Sequence, residues 1–167
     1  MGVPQTRHRV FFIAIRNDIP VDLDKLDMSF NYEPITYGEI KEGELRPLKE
    51  ESKFYPIVKQ AIESDKNIAD TRARIGEKPS AFQTLYIRDN MVVPTQRAKP
   101  DLIDVKNVSY ISAETIRNAQ TFPQDYDFVN NSYANIGYVC GMSVPPIMIK
   151  RIVTRLIESG VFKGVTV

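Results

Sequence analysis

The sequence has one cysteine, one histidine and no tryptophan in 167 residues. A single cysteine excludes an internal disulfide, and one cysteine with one histidine cannot build a Cys/His zinc site. No uninterrupted run reaches the roughly 20 apolar residues that a membrane span needs. The N-terminus lacks the basic-then-apolar layout of a signal peptide, because the apolar run behind Arg7-His8-Arg9 is too short. The expectation is a cytoplasmic, metal-free chain with no membrane segment. A strong charge of either sign is also missing, since the net charge is +1.

What is present is ordinary for a globular protein: 43% hydrophobic and 26% charged residues, in a length that suits one domain or two small lobes sharing a core. The charge is unevenly placed. Residues 1–16 carry Arg7, Arg9 and Arg16 without an acid, a local +3; residues 17–70 carry a local −6; residues 71–106 return to +3. Two separated basic stretches can present a phosphate-facing surface, and a scatter of solvated charges gives the same count.

Arg9 to Arg16 encloses a short apolar run rich in β-branched and aromatic residues, which predicts a strand buried on both faces of a central sheet. Pro20 to about Lys53 shows turn residues and little periodicity. Phe54, Ile57, Val58, Ala61 and Ile62 follow helical spacing and predict a helix over 54–68. Residues 79–106 alternate weakly and read as short strands limited by Pro94 and Pro100. Ser112 is placed to cap a helix running to about Gln120, with Glu114 in its first turn and Phe122-Pro123 as the stop. A last helix starts at Pro145-Pro146, carries the apolar stripe Ile149, Ile152, Val153 and Leu156, and ends near Gly160.

Four segments, in this order, resemble the C-terminal half of the DNA cytosine-5 methyltransferases. Gly2-Val3-Pro4-Gln5-Thr6-Arg7-His8-Arg9 is similar to the family's PQxRxR element before a strand. Phe82-Gln83-Thr84-Leu85 resembles the Thr-Leu pair of its target-recognition region. Ala119-Gln120-Thr121-Phe122-Pro123-Gln124-Asp125-Tyr126-Asp127-Phe128 is similar to its LQxFPxxYxF element, and Gly141-Met142-Ser143-Val144-Pro145-Pro146 to its GNSVPP turn. The resemblance implies an α/β chain: the C-terminal part of a Rossmann-like S-adenosylmethionine-dependent methyltransferase with a small, mixed, largely irregular target-recognition domain. Residues 1–16 would then end the catalytic domain, 17–128 would form the target-recognition domain, and 129–167 would return to the catalytic domain.

The family attacks cytosine C6 with a cysteine thiolate held in a Pro-Cys loop, and takes its methyl group from S-adenosylmethionine. Its cofactor loop, Pro-Cys loop and Glu-Asn-Val segment precede the PQxRxR element. That element begins here at residue 2, so those parts are expected from a missing N-terminal polypeptide, with self-association as the alternative. Cys140 follows Val139 rather than proline and reads as a small buried residue. The rival readings are a non-catalytic sequence-specific DNA-binding module and an inactive truncated remnant.

An enzyme acting on a cytosine ring within a duplex must rotate the nucleotide out of the stack. The resemblance implies that Arg9 holds the extruded base's carbonyl oxygen and its phosphate, with Arg7 supporting it. Arginine suits this because its planar fork binds both acceptors together. The alternative is a pair of solvated charges before a buried strand. Double-stranded DNA is the implied partner. Gln5, Arg72, Arg74, Gln83, Thr84, Arg88 and Arg97 are the candidate DNA contacts, with Gln96 beside them. Gly141, Ser143 and Val144 are the implied cofactor contacts, and Phe122 and Tyr126 the implied packing anchors. The chain departs from the family where Thr115 and Asn118 replace a charged pair, Ser109 an arginine and Met142 an asparagine.

Overall fold

The computed structural model describes residues 1–159. In chain order the elements are α1 (Tyr37–Ile40), β1 (Arg46–Pro47), α2 (Tyr55–Val58), α3 (Ile68–Arg74), β2 (Leu85–Ile87), β3 (Leu102–Asp104), β4 (Ser109–Tyr110), α4 (Ala113–Gln120), α5 (Tyr133–Met142) and α6 (Pro146–Glu158), with a 3-10 turn at Leu23–Lys25. The strands form one small mixed sheet in the order β1-β4-β3-β2. β2 and β3 run parallel, with Tyr86 opposite Ile103, and the other two pairings are antiparallel. A mixed α/β chain is therefore observed. The strands all fall between residues 46 and 110, so a Rossmann-like parallel sheet is not among the described residues.

Strand alternation divides the core. Ile87 and Leu102 point to one side, where they meet Ile111, Ile116, Ala119, Phe128, Ile136 and Cys140. Tyr86 and Ile103 point to the other, against Leu48, Ile57, Val58 and Ile68. The period of two in a pleated strand gives one three-residue strand a place in both clusters. Pro100 and Pro94 bound β3 and the segment before it, as the sequence predicts.

α4 matches its predicted limits. The Ser112 hydroxyl accepts from the Thr115 amide at 3.0 Å, and Thr121 closes the helix in the left-handed region at φ 62°. Phe122, Tyr126 and Phe128 then stack at centroid separations of 4.6, 5.2 and 4.9 Å, so the two predicted anchors recruit a third ring. α6 begins at the predicted prolines; the expected stop at Gly160 lies outside the described residues.

Two expectations need correction, and one helix is new. Residues 9–16 form no strand: Val10 is 79% and Phe12 94% exposed, and no neighbouring strand pairs with them among the described residues. Of the predicted helix over 54–68 only Tyr55–Val58 is helical: Asp65 turns back to accept from the Ile62 amide, and Asn67 caps the separate α3 through the Asp70 amide. α5 is an additional helix, apolar all round and lacking the one-sided stripe that marks a surface helix.

Tyr133–Glu158 has the length and composition of a membrane span, with a mean hydropathy of 1.2. The polypeptide nevertheless breaks at Ser143–Pro145 into helices of 10 and 13 residues. At about 1.5 Å per residue neither reaches across a hydrocarbon core of about 30 Å.

Candidate functional site

Three of the four motifs meet around one buried guanidinium. Arg7 lies 8% exposed and donates through Nη1 to the Gln96 carbonyl at 3.0 Å and to Gln5 Oε1 at 3.2 Å. Through Nη2 it donates to the carbonyls of Ser143 at 2.6 Å and Gly141 at 3.0 Å. Gln5 in turn donates to Gln120 Oε1 at 2.7 Å and to the Ala119 carbonyl at 3.2 Å, while its own oxygen accepts from the Gln96 amide at 3.0 Å. Gln120, fully buried, donates to the carbonyl and the hydroxyl of Ser143, each at 2.9 Å. The segment before Arg7 is held by a single parallel bridge from Gln5 to Val93 and by the Thr6 amide on the Val93 carbonyl at 2.8 Å.

The local reasons are clear from sequence. α4 buries Thr115, Ile116, Ala119 and Gln120, the i, i+1, i+4, i+5 face of a helix, so Gln120 enters the interior on an apolar side. α5 approaches the 97–100 segment closely because its facing positions are glycines. A Cβ at Gly137 would overlap Pro100, and one at Gly141 would overlap the Arg97–Ala98 backbone. That contact brings the Gly141 and Gln96 carbonyls within reach of the same guanidinium.

Arg7 has no acidic partner among the described residues, and its Nε is buried without an acceptor. Burial, with Arg9 nearby, lowers its pKa from the ordinary arginine value. Four of its five N–H groups are committed to protein oxygens, so it braces the turn and has no free fork for a base. Arg9, two residues on, is exposed and spends one nitrogen on the His8 carbonyl at 2.6 Å. It lines a recess of about 440 Å³ together with Phe11, Met28, Phe30, Met148 and Ile152.

The remaining predicted residues scatter. Gln5 and Gln96 are buried at 5% and 6%, which removes both from any surface that meets DNA. Thr84 is buried at the start of β2, and Gln83 beside it is exposed. Arg74 is held by Asp65 at 3.0 Å, Arg88 by the Ile62 carbonyl at 2.6 Å, Arg72 by Ser80 at 2.8 Å, and Arg97 by Asp101 and the Gln83 carbonyl. Arg74 and Arg88 grip the same 60–65 loop, while Arg72 and Arg97 are each spent on a separate segment. Thr115 and Asn118 grip residues 40–42 instead of each other: Thr115 accepts from the Glu42 amide at 3.0 Å, and Asn118 donates to the Ile40 carbonyl at 3.2 Å. Ser109 is buried with an unpartnered hydroxyl. Gln120 is the site residue that the sequence reading passes over; a glutamine on the face of Ile116 and Ala119 is the signal that marks it.

The family model described as C-5 cytosine-specific DNA methylase matches residues 1–158. The chain belongs to that family. No curated protein and no solved structure matches it.

Members of the C5 cytosine DNA methylase family use S-adenosylmethionine. In this methylase chain the polar atoms of Gly141 and Ser143 are already engaged. The Gly141 carbonyl takes Arg7, and the Ser143 hydroxyl accepts from Gln120 while donating to the Cys140 carbonyl at 3.1 Å. Met142 is 66% exposed where the family motif has an amide. These bonds hold the turn together and leave the Gly141 carbonyl and the Ser143 hydroxyl one lone pair each. Cys140 is fully buried, and burial pushes its thiol up to about 12, with Arg117 opposing the shift weakly. A thiol in that state is protonated at neutral pH and is no nucleophile.

Proposed function

We propose that this chain is the DNA-recognition and base-flipping portion of a DNA (cytosine-5-)-methyltransferase, in which another polypeptide supplies the thiolate and the cofactor's polar contacts. The observation that carries this reading is the Gln5–Arg7–Gln120–Ser143 network. It gathers the first, third and fourth motifs and leaves Arg9 as the exposed cation beside a recess.

Within this reading Arg9 takes the extruded cytosine's carbonyl oxygen and its phosphate, and Arg7 fixes the backbone from which Arg9 projects. The only thiol in the sequence is Cys140, and its burial removes it from the chemistry. Bond formation to cytosine C6 therefore needs sulfur from outside these residues. The partner also has apolar surface to meet, since Val10, Phe12, Ile149 and Val153 are exposed at 79%, 94%, 43% and 46%.

Mixing tests this directly. Duplex DNA and methyl-labelled S-adenosylmethionine are incubated with this chain, with a methyltransferase polypeptide carrying the Pro-Cys loop, and with both. Transfer in the mixture alone is the expected result. DNA binding without transfer in any pairing would favour a recognition module with no catalytic partner.

A further inference from the structure

Helix α6 carries cations that the network around Arg7 does not use. Lys150, Arg151, Thr154 and Arg155 follow i, i+1, i+4, i+5 spacing and so share one face of the helix. With Phe30 and Tyr32 from the preceding loop they line a recess of about 250 Å³. Glu158 is the one carboxylate on that lining, against three cations.

The cations are held in place unequally. Arg155 is tied to Asp27 at 3.5 Å and to the Ser29 carbonyl at 3.2 Å, and its guanidinium lies 5.5 Å from the Phe30 ring centroid. Arg151 stacks on Tyr32 at 3.8 Å, and Gly2, at φ +58°, gives it room, because a Cβ there would overlap Nη1. That Nη1 is buried with no acceptor, and neither Arg151 nor Lys150 has an acidic partner among the described residues. Like charges one helical turn apart repel, and a buried donor without an acceptor is costly. An anion in the recess relieves the repulsion among these cations.

We infer that the α6 recess is a phosphate-binding site, in which Lys150 and Arg151 are the primary cations and Thr154 supplies a hydroxyl. Planar arginine and a neighbouring hydroxyl suit tetrahedral phosphate oxygens. Phe30 lines both this recess and the one beside Arg9. The favoured source is therefore a backbone phosphate of the nucleic acid at Arg9, a step that rests on the proposed function; the recess itself does not.

The test uses the full chain with labelled arginine side chains, read by NMR with inorganic pyrophosphate. Duplex DNA binding is measured alongside over a salt series for wild type, Lys150→Gln, Arg151→Gln and Arg9→Ala. Lys150 is exposed, so its variant keeps the test valid if Arg151→Gln misfolds. Expected are a shift of the Arg151 signal with pyrophosphate and a log–log salt slope smaller by about 0.9 in Lys150→Gln. A pyrophosphate shift with duplex affinity indifferent to both α6 variants makes free phosphate the ligand. A shift with no duplex binding at all preserves the recess and sinks the DNA reading. No shift, together with duplex binding that depends on Arg9 but on neither α6 residue, overturns the recess and leaves the DNA reading standing.

Discussion

Gln120 shows what a buried amide does at the residue scale. Its side chain accepts from Gln5 and donates twice to Ser143, so it joins the strand-leading segment to the turn before α6. Gln120→Leu would keep the volume and strand one N–H of Gln5 in the interior. The expected cost is about 1–3 kcal/mol, measured by urea unfolding with an unchanged m-value. The third motif contains this position without giving it a role; the polar residue on an apolar helix face is what marks it physically. The sequence could not show that Arg7 would face inward, because its acceptors are carbonyls contributed by residues 96, 141 and 143. Cys140 gives a second test at this scale. With its thiol pushed up by burial to about 12, a thiol reagent at pH 8 should label it only after denaturation. Rapid labelling of the folded chain would contradict the buried assignment.

Among the elements, α4 was fully legible and the 54–74 region was not. Every signal for α4 is local: a serine cap, an acid in the first turn, an apolar face and a Phe-Pro stop. The break between α2 and α3 depends on Asp65, whose carboxylate accepts from the Ile62 amide, Thr71 Oγ1 and Arg74 at 3.1, 2.9 and 3.0 Å. Helical periodicity across 54–62 gives no warning that an acid three residues later will fold back. Burial alone raises the Asp65 pKa, but Arg74, the Ile62 amide and Thr71 outweigh it and hold the carboxyl below its ordinary value. The folded value lies under the unfolded one of about 3.9. The stabilisation is therefore complete above that pH and is lost as pH falls through the folded value. Urea midpoints measured from pH 5 downwards should fall less steeply for Asp65→Asn than for wild type, although the variant starts from lower stability. α5 escaped notice for a different reason: its glycines serve packing against residues 97–100, a contact that no periodicity encodes.

At the scale of the whole molecule, apolar surface is left exposed in the N-terminal segment and along α6. Residues 9–16 read as a buried strand, yet they stand with Val10 and Phe12 in solvent. The α6 stripe is half satisfied: Ile152 is 7% exposed, while Ile149 and Val153 remain above 40%. Burying a side chain of this kind is worth roughly 1.5–3 kcal/mol, so surface like this seeks a partner. The expectation is concentration-dependent self-association of the isolated chain, read by sedimentation, and its suppression by the polypeptide that carries the Pro-Cys loop. A monodisperse monomer at high concentration would argue against an unfilled interface.

The central claim is that Arg9, projecting from the braced segment at Arg7, grips a cytosine drawn out of the duplex. Fluorescence of a 2-aminopurine placed beside the target cytosine, in a duplex bound by this chain and its completing polypeptide, reports the extrusion through lost stacking. The account predicts a rise in emission that Arg9→Ala abolishes while the complex still forms. An equal rise with Arg9→Ala would contradict it.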